Sequence, residues 1–87
     1  MSAAVVTRDE IFTVIKGNID KIVEGAREKE VTPEASLKDD FGADSLEIVE
    51  VVSRSMKELK IKVPRTELSK ATNIRELVDI FENFATA

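Results

Sequence analysis

Ser45 is the residue of this chain best placed to do chemistry. It lies in the run Phe41-Gly42-Ala43-Asp44-Ser45-Leu46-Glu47. Asp44 has the character of a helix N-cap, and Glu47, three residues on, can close a capping box. Ser45 then falls in the first helical turn, where unbonded N–H groups and the helix dipole favour an anion. A phosphodiester on the Ser45 hydroxyl would sit in that field, exposed between a loop and a helix. The plainer reading is that Asp-Ser simply starts a helix well. A second group is Asp39, Asp40 and Asp44. Three carboxylates could hold a metal or share acid–base work, or could cap a helix and charge a loop.

What is missing narrows the choice. The 87 residues include no histidine and no cysteine. Disulfides and thiolate metal sites are excluded. So are serine–histidine and cysteine–histidine catalysis within the chain, because the commonest general base and metal ligand is absent. A chain of this length makes one domain, covering 1–87, that hides about 60–65% of its unfolded surface. That leaves a thin core and no deep catalytic cleft. The sequence therefore predicts a binding or carrier module with no catalytic residue and no metal.

Hydrophobic content of 43% and charged content of 34% describe an ordinary globular protein. No stretch approaches the ~20 apolar residues of a membrane helix. The start MSAAVVTRDE lacks the basic and apolar regions of a signal peptide. No membrane partner and a cytoplasmic location are expected. A net charge of −4 argues against nucleic acid. The charge is uneven. Glu34, Asp39, Asp40, Asp44, Glu47 and Glu50 stand against Lys38. After them Arg54, Lys57, Lys60, Lys62, Arg65 and Lys70 stand against Glu58 and Glu67. This is either a pair of solvated faces or a docking surface with an acidic and a basic end.

The elements that must position Ser45 are helical throughout. Thr7-Arg8-Asp9-Glu10 has the form of a capping box. Ile11, Val14, Ile15, Ile19, Ile22 and Val23 then trace one stripe, with Gly25 as a stop. Residues 25–43 read as a long loop with a turn at Thr32-Pro33-Glu34, pinned by Leu37 and Phe41 and bent at Gly42. A second helix is predicted from Ser45 to about Leu59. Its apolar residues, Leu46, Ile48, Val49, Val51, Val52, Met56 and Leu59, cover more than one face. Such a helix is either central or half of a binding surface. Val63-Pro64 stops its continuation. A short helix over Arg65–Lys70 follows, then a last helix capped by Asn73, with Glu76 three residues on. Its stripe is Ile74, Leu77, Val78, Phe81 and Phe84. The predicted fold is all-α: a four-helix bundle of three main helices and one short one, with a long first loop.

In this layout the sequence resembles the acyl carrier protein family, over about residues 8–84. Asp44-Ser45-Leu46 is similar to the attachment motif in which a serine receives 4'-phosphopantetheine from coenzyme A. The preceding Phe-Gly-Ala, the following Glu-Ile-Val-Glu-Val-Val, the long loop, the Val-Pro break and the short third helix match as well. The resemblance implies that Ser45 carries the arm, flanked by Asp44 and Leu46, and shuttles a thioester-bound acyl group. It explains the absent histidine and cysteine, because the reactive thiol belongs to the arm.

The resemblance also implies an acyl cleft from Ile48, Val52, Val63, Leu68 and Ala71, which are otherwise ordinary core residues. It implies partner recognition by exposed Asp44, Leu46, Glu47, Glu50, Ser53, Arg54 and Lys57. Implied partners are a phosphopantetheinyl transferase and an acyltransferase, a ketosynthase or a β-branching synthase, met by a monomer when free. Carriers of bacterial fatty-acid synthesis are more acidic where Arg54, Lys57, Lys60, Lys62 and Arg65 stand here. This favours a polyketide or related secondary-metabolite pathway, and the start at Met1 with a complete layout points to a free-standing protein. A fatty-acid carrier and a peptidyl carrier remain alternatives. So do a helical interaction module with an unmodified Ser45 and a small enzyme using Asp39, Asp40 and Asp44.

Overall fold

A computed structural model describes residues 7–23, 25 and 31–85. All regular structure among them is helical, as the sequence predicts. The first helix, α1, spans Arg8–Ile22. Its start follows the sequence signal: Thr7 is the N-cap, its hydroxyl accepts from the Glu10 N–H, and the Glu10 carboxylate accepts from the Thr7 N–H. Its end does not wait for Gly25. Val23 is the C-cap, in extended conformation, and its N–H still donates to the Ile19 carbonyl at 2.9 Å. Gly25 has φ +83° and serves the chain beyond the helix. Residues 26–30 of the predicted loop, like residues 1–6, lie outside the described residues.

On the α1 stripe Ile11, Ile15 and Ile19 are fully buried and Val23 nearly so, whereas Val14 and Ile22 are half-buried. The residue that completes the buried face is polar. Asn18 is buried, and its amide donates to the Ser55 hydroxyl at 3.0 Å and to a Glu58 carboxylate oxygen at 2.8 Å. Ser55 in turn donates to the Val51 carbonyl at 2.8 Å. Each buried polar group thus has its partner, which avoids a desolvation cost of about 1–3 kcal/mol per group.

The loop is tied down at several points. Thr32-Pro33-Glu34-Ala35 closes as a turn through the Ala35 N–H and the Thr32 carbonyl. Leu37 and Phe41 are buried, as their isolation in polar sequence predicts, and Val31, Ala35 and Ala43 join them. The loop's backbone also grips the last helix: the Ile74 N–H donates to Ala35 and the Arg75 N–H to Pro33, at 2.9 and 2.7 Å. Gly42 has φ +68°, and a Cβ there would meet no neighbour. The backbone angle is therefore what calls for glycine, not crowding.

The second helix, α2, spans Ser45–Leu59. Its terminator is Lys60, in the left-handed conformation at φ 58°, ψ 38°. Val63-Pro64 comes too late to end it, and Pro64 instead opens the next helix. That helix, α3, is shorter than predicted, Arg65–Leu68, with Ser69 as its C-cap. A left-handed lysine carries steric strain that glycine would not. Lys60→Gly is expected to raise stability by about 1 kcal/mol, read as a higher urea midpoint. A midpoint at or below that of the parent would show the strain is absent.

The last helix, α4, spans Ile74–Ala85. Asn73 accepts from the Glu76 N–H at 2.8 Å, as a cap should. Glu76 reaches one residue further back than predicted, accepting from the N–H and hydroxyl of Thr72. Those bonds, the backbone one first, hold the Glu76 carboxyl below its ordinary value. Ile74, Leu77, Val78 and Phe81 are buried; Phe84 is half-buried.

Packing is organised by α1, which lies against both α2 and α4, while α3 touches α4. The backbones of α2 and of α3 or α4 make no close approach among the described residues. The α2 helix is thus not the central one. Its second apolar side is left open, with Leu46 80% and Val49 42% exposed. Arg8 ties α1 to α4 through Asp79 and Glu82. No helix among the described residues is long and apolar enough to cross a membrane.

Candidate functional site

Ser45 opens α2 at an exposed position, between the left-handed bend at Gly42 and the exposed Leu46. The turn is fixed by a complete capping box. Asp44 accepts from the Glu47 N–H at 2.8 Å, and Glu47 accepts from the Asp44 N–H at 3.0 Å. The first intrahelical bond is from the Ile48 N–H to the Asp44 carbonyl. The N–H groups of Ser45 and Leu46 precede it, and they face the end of the helix where the dipole is positive. Hydroxyl, free N–H groups and cap are thereby held in one rigid turn.

Beside this turn, in the gap between α2 and the α3–α4 segment, lie two apolar cavities. The first, of about 290 Å³, reaches from Leu37 and Asp39 in the loop to Ala71 and Leu77. The second, of about 340 Å³, runs from Ser45 along Val49 and Met56 to Val63 and Arg65. Ile48, Val52 and Leu68 line both and form the partition between them. The five residues assigned to one cleft are therefore split: Ala71 belongs to the first cavity and Val63 to the second. Val52 and Val63 are buried, while Ile48, Leu68 and Ala71 are half-buried and form the walls.

The residues assigned to partner recognition also divide. Asp44, Leu46, Glu50, Ser53, Arg54 and Lys57 are exposed. Glu47 is not a free surface group as expected: it is only half-exposed, and its carboxylate is bound in the cap. The acidic end of the surface is largely occupied in this way. Asp44 caps the helix, Glu50 pairs with Arg54 at 3.6 Å, and Asp40 accepts from the Ser36 N–H. At the other end no carboxylate among the described residues pairs with Lys57, Lys60, Lys62 or Arg65. Sequence counting saw balanced ends because it could not see which charges were engaged.

The trio Asp39, Asp40 and Asp44 does not form a centre. No group of three acidic side chains among the described residues could hold a metal ion. Two polar residues that no sequence signal places beside Ser45 join it at the second cavity. Arg65 and Ser69 line the second cavity with Ser45, although they lie twenty or more positions along the chain. No periodicity signals that proximity; only the turn at Pro64 brings them back.

A family profile described as phosphopantetheine attachment site matches residues 22–81, which include the Ser45 turn and both cavities. The chain is also similar to the acyl carrier protein of Thermotoga maritima. The two are 38% identical over 76 residues, covering 87% of this chain and 93% of the relative. The chain belongs to the acyl carrier protein family. Its prosthetic group is 4'-phosphopantetheine. The residues present fit such a group: an exposed hydroxyl at a positive helix end, opening on an apolar cavity large enough for part of a chain. When bound, the arm supplies a thiol that holds acyl groups as thioesters, which an acyl carrier without cysteine requires. Members of this family meet a phosphopantetheinyl transferase and enzymes that handle acyl groups.

Proposed function

We propose that Ser45 is the attachment residue, and that the whole chain works as one carrier unit, monomeric when free. The observation that carries this is the exposed Ser45 hydroxyl on a capped first turn at the mouth of the second cavity. In loading, the Ser45 oxygen displaces adenosine bisphosphate from coenzyme A and loses its proton to the transferase. The chain itself does no chemistry on the cargo. It has no histidine or cysteine, and the tether raises the local concentration of cargo at each partner. An acyl chain on the arm lies along the partition of Ile48, Val52 and Leu68.

The finer reading is a carrier dedicated to polyketide or related secondary-metabolite synthesis, meeting an acyltransferase, a ketosynthase or a β-branching synthase. Lys57, Lys60, Lys62 and Arg65, exposed and paired with no carboxylate among the described residues, support it, since they suit a partner other than one made for an acidic helix.

The test is intact mass after incubation with coenzyme A, magnesium and a broad-specificity phosphopantetheinyl transferase. One phosphopantetheine is expected on the wild type and none on Ser45→Ala. Gain on Ser45→Ala, or none on folded wild type with several transferases, would sink the assignment. Malonyl-loaded protein offered to fatty-acid and to polyketide ketosynthases then separates the two pathways.

A further inference from the structure

The second cavity has an apolar floor and one charged side chain on its lining, Arg65. Ser45 lines the same cavity, and Arg65 reaches it as the first residue of α3, directly after Pro64. The first cavity differs: Lys38 and Asp39 both line it, so opposite charges stand together there. Arg65 is exposed, and no carboxylate among the described residues pairs with it. The nearest acid in sequence, Glu67, is held by Lys70 at 3.2 Å. A cation on the rim of an apolar cavity, without a carboxylate partner among the described residues, is poised for an anion brought from outside.

The electrostatics at Ser45 call for such a cation. Asp44 and Glu47 place two carboxylates on the flank of the serine, both fixed in the capping box. A third negative charge tethered to Ser45 is disfavoured by them and favoured by the α2 N-terminus. Arg65 adds a full positive charge on the cavity side. Its planar fork suits the two oxygens of a phosphodiester or a carboxylate better than an ammonium would.

We propose that Arg65 is an anion clamp for the group tethered on Ser45, drawing it into the second cavity. The anion has two sources: the phosphodiester at the root of the arm, or a carboxylate on the acyl cargo. This rests on the reading that Ser45 carries the arm. With the cargo carboxylate as the anion, the clamp prefers one cargo class, because a neutral acyl chain gains nothing from Arg65 beyond apolar contact. With the phosphodiester as the anion, it holds the root of the arm alike for every cargo.

The test uses the whole protein, isotopically labelled and loaded on Ser45 from coenzyme A, butyryl-coenzyme A or malonyl-coenzyme A. Intact mass confirms each form. The Arg65 Nε–Hε resonance is identified by its loss in Arg65→Lys and followed from the apo protein into each loaded form. It is expected to shift on loading and to return part-way at high salt, as an exposed pair does. A pair of this kind biases the bound arm roughly two- to fivefold. A shift in all three forms assigns the phosphodiester, and the phosphorus resonance then moves in Arg65→Gln. A shift with malonyl alone assigns the cargo carboxylate. An unmoved resonance in all three loaded forms overturns the clamp while leaving Ser45 as attachment residue. No mass gain on folded wild type overturns both.

Discussion

Leu46→Asp is expected to cut the catalytic efficiency of loading by a phosphopantetheinyl transferase by at least tenfold while leaving the helical fold intact. Leu46 is 80% exposed, so its side chain adds almost nothing to the core. It stands at the second position of α2, where an aspartate is welcome beside the helix dipole. Stability should therefore stay within about 0.5 kcal/mol of the parent. Binding is another matter. A large apolar side chain one residue from Ser45, with Val49 one turn on, forms an exposed apolar patch beside the proposed attachment residue. Truncating such an anchor costs about 2 kcal/mol or more. A buried carboxylate in its place adds a desolvation penalty. At about 1.4 kcal/mol per factor of ten, tenfold is the lower bound. Loading kinetics and circular dichroism on the same sample decide the matter. Unchanged efficiency, or lost helicity, would remove Leu46 from the docking account.

Phe81→Ala should have the largest effect on stability. Phe81 is the largest fully buried side chain, on the face of α4 that packs toward the core. A phenylalanine-to-alanine change at such a site costs about 3–5 kcal/mol, from lost transfer energy and the cavity left behind. Whole domains are stable by about 5–15 kcal/mol, small ones at the low end. A shift of the urea midpoint by roughly 2 M or more is expected. Phe84→Ala, at a half-buried position, is the control and should shift it far less. Equal shifts for the two variants would mean that burial on α4 is not graded as described.

The two sites also respond oppositely to the same kind of change. Leu46 sits outside the core, where its expected effect is on loading; Phe81 sits inside it, where the expected effect is on folding. Both are apolar residues in helices with similar spacing, and composition does not tell them apart. The difference is which face of each helix finds another helix. The α1 helix takes one face of α2 and one of α4, so the remaining side of α2 is left to partners and cavities.

Local signals carried much of the fold. Thr7 with Glu10, and Asp44 with Glu47, act over three residues, and both capping boxes form as the sequence predicts. The stripe Ile74, Leu77, Val78 and Phe81 is buried because helical period alone aligns it. The absence of histidine and cysteine removed whole classes of chemistry without any coordinates. The serine at the head of α2 was legible for the same reason: its cap, its flanks and its dipole are all within a few residues.

What lay beyond the sequence depends on contacts between residues far apart in the chain. Asn18 is buried only because Ser55 and Glu58 on α2 receive its amide. The end of α2 is set by Lys60 in a left-handed conformation that lysine does not favour, with its N–H and that of Ile61 both bonded back to the Met56 carbonyl and Ile61 buried in the core. The division of one expected cleft into two cavities follows from where α3 sets Leu68 against Ile48 and Val52. The placing of Arg65 on the same cavity as Ser45 follows from the turn at Pro64. Capping and periodicity are short-range physics and can be read from neighbours. Which charges are spent, which apolar face stays open and which cation lines a cavity with the serine depend on how the helices pack, and only the tertiary structure decides them.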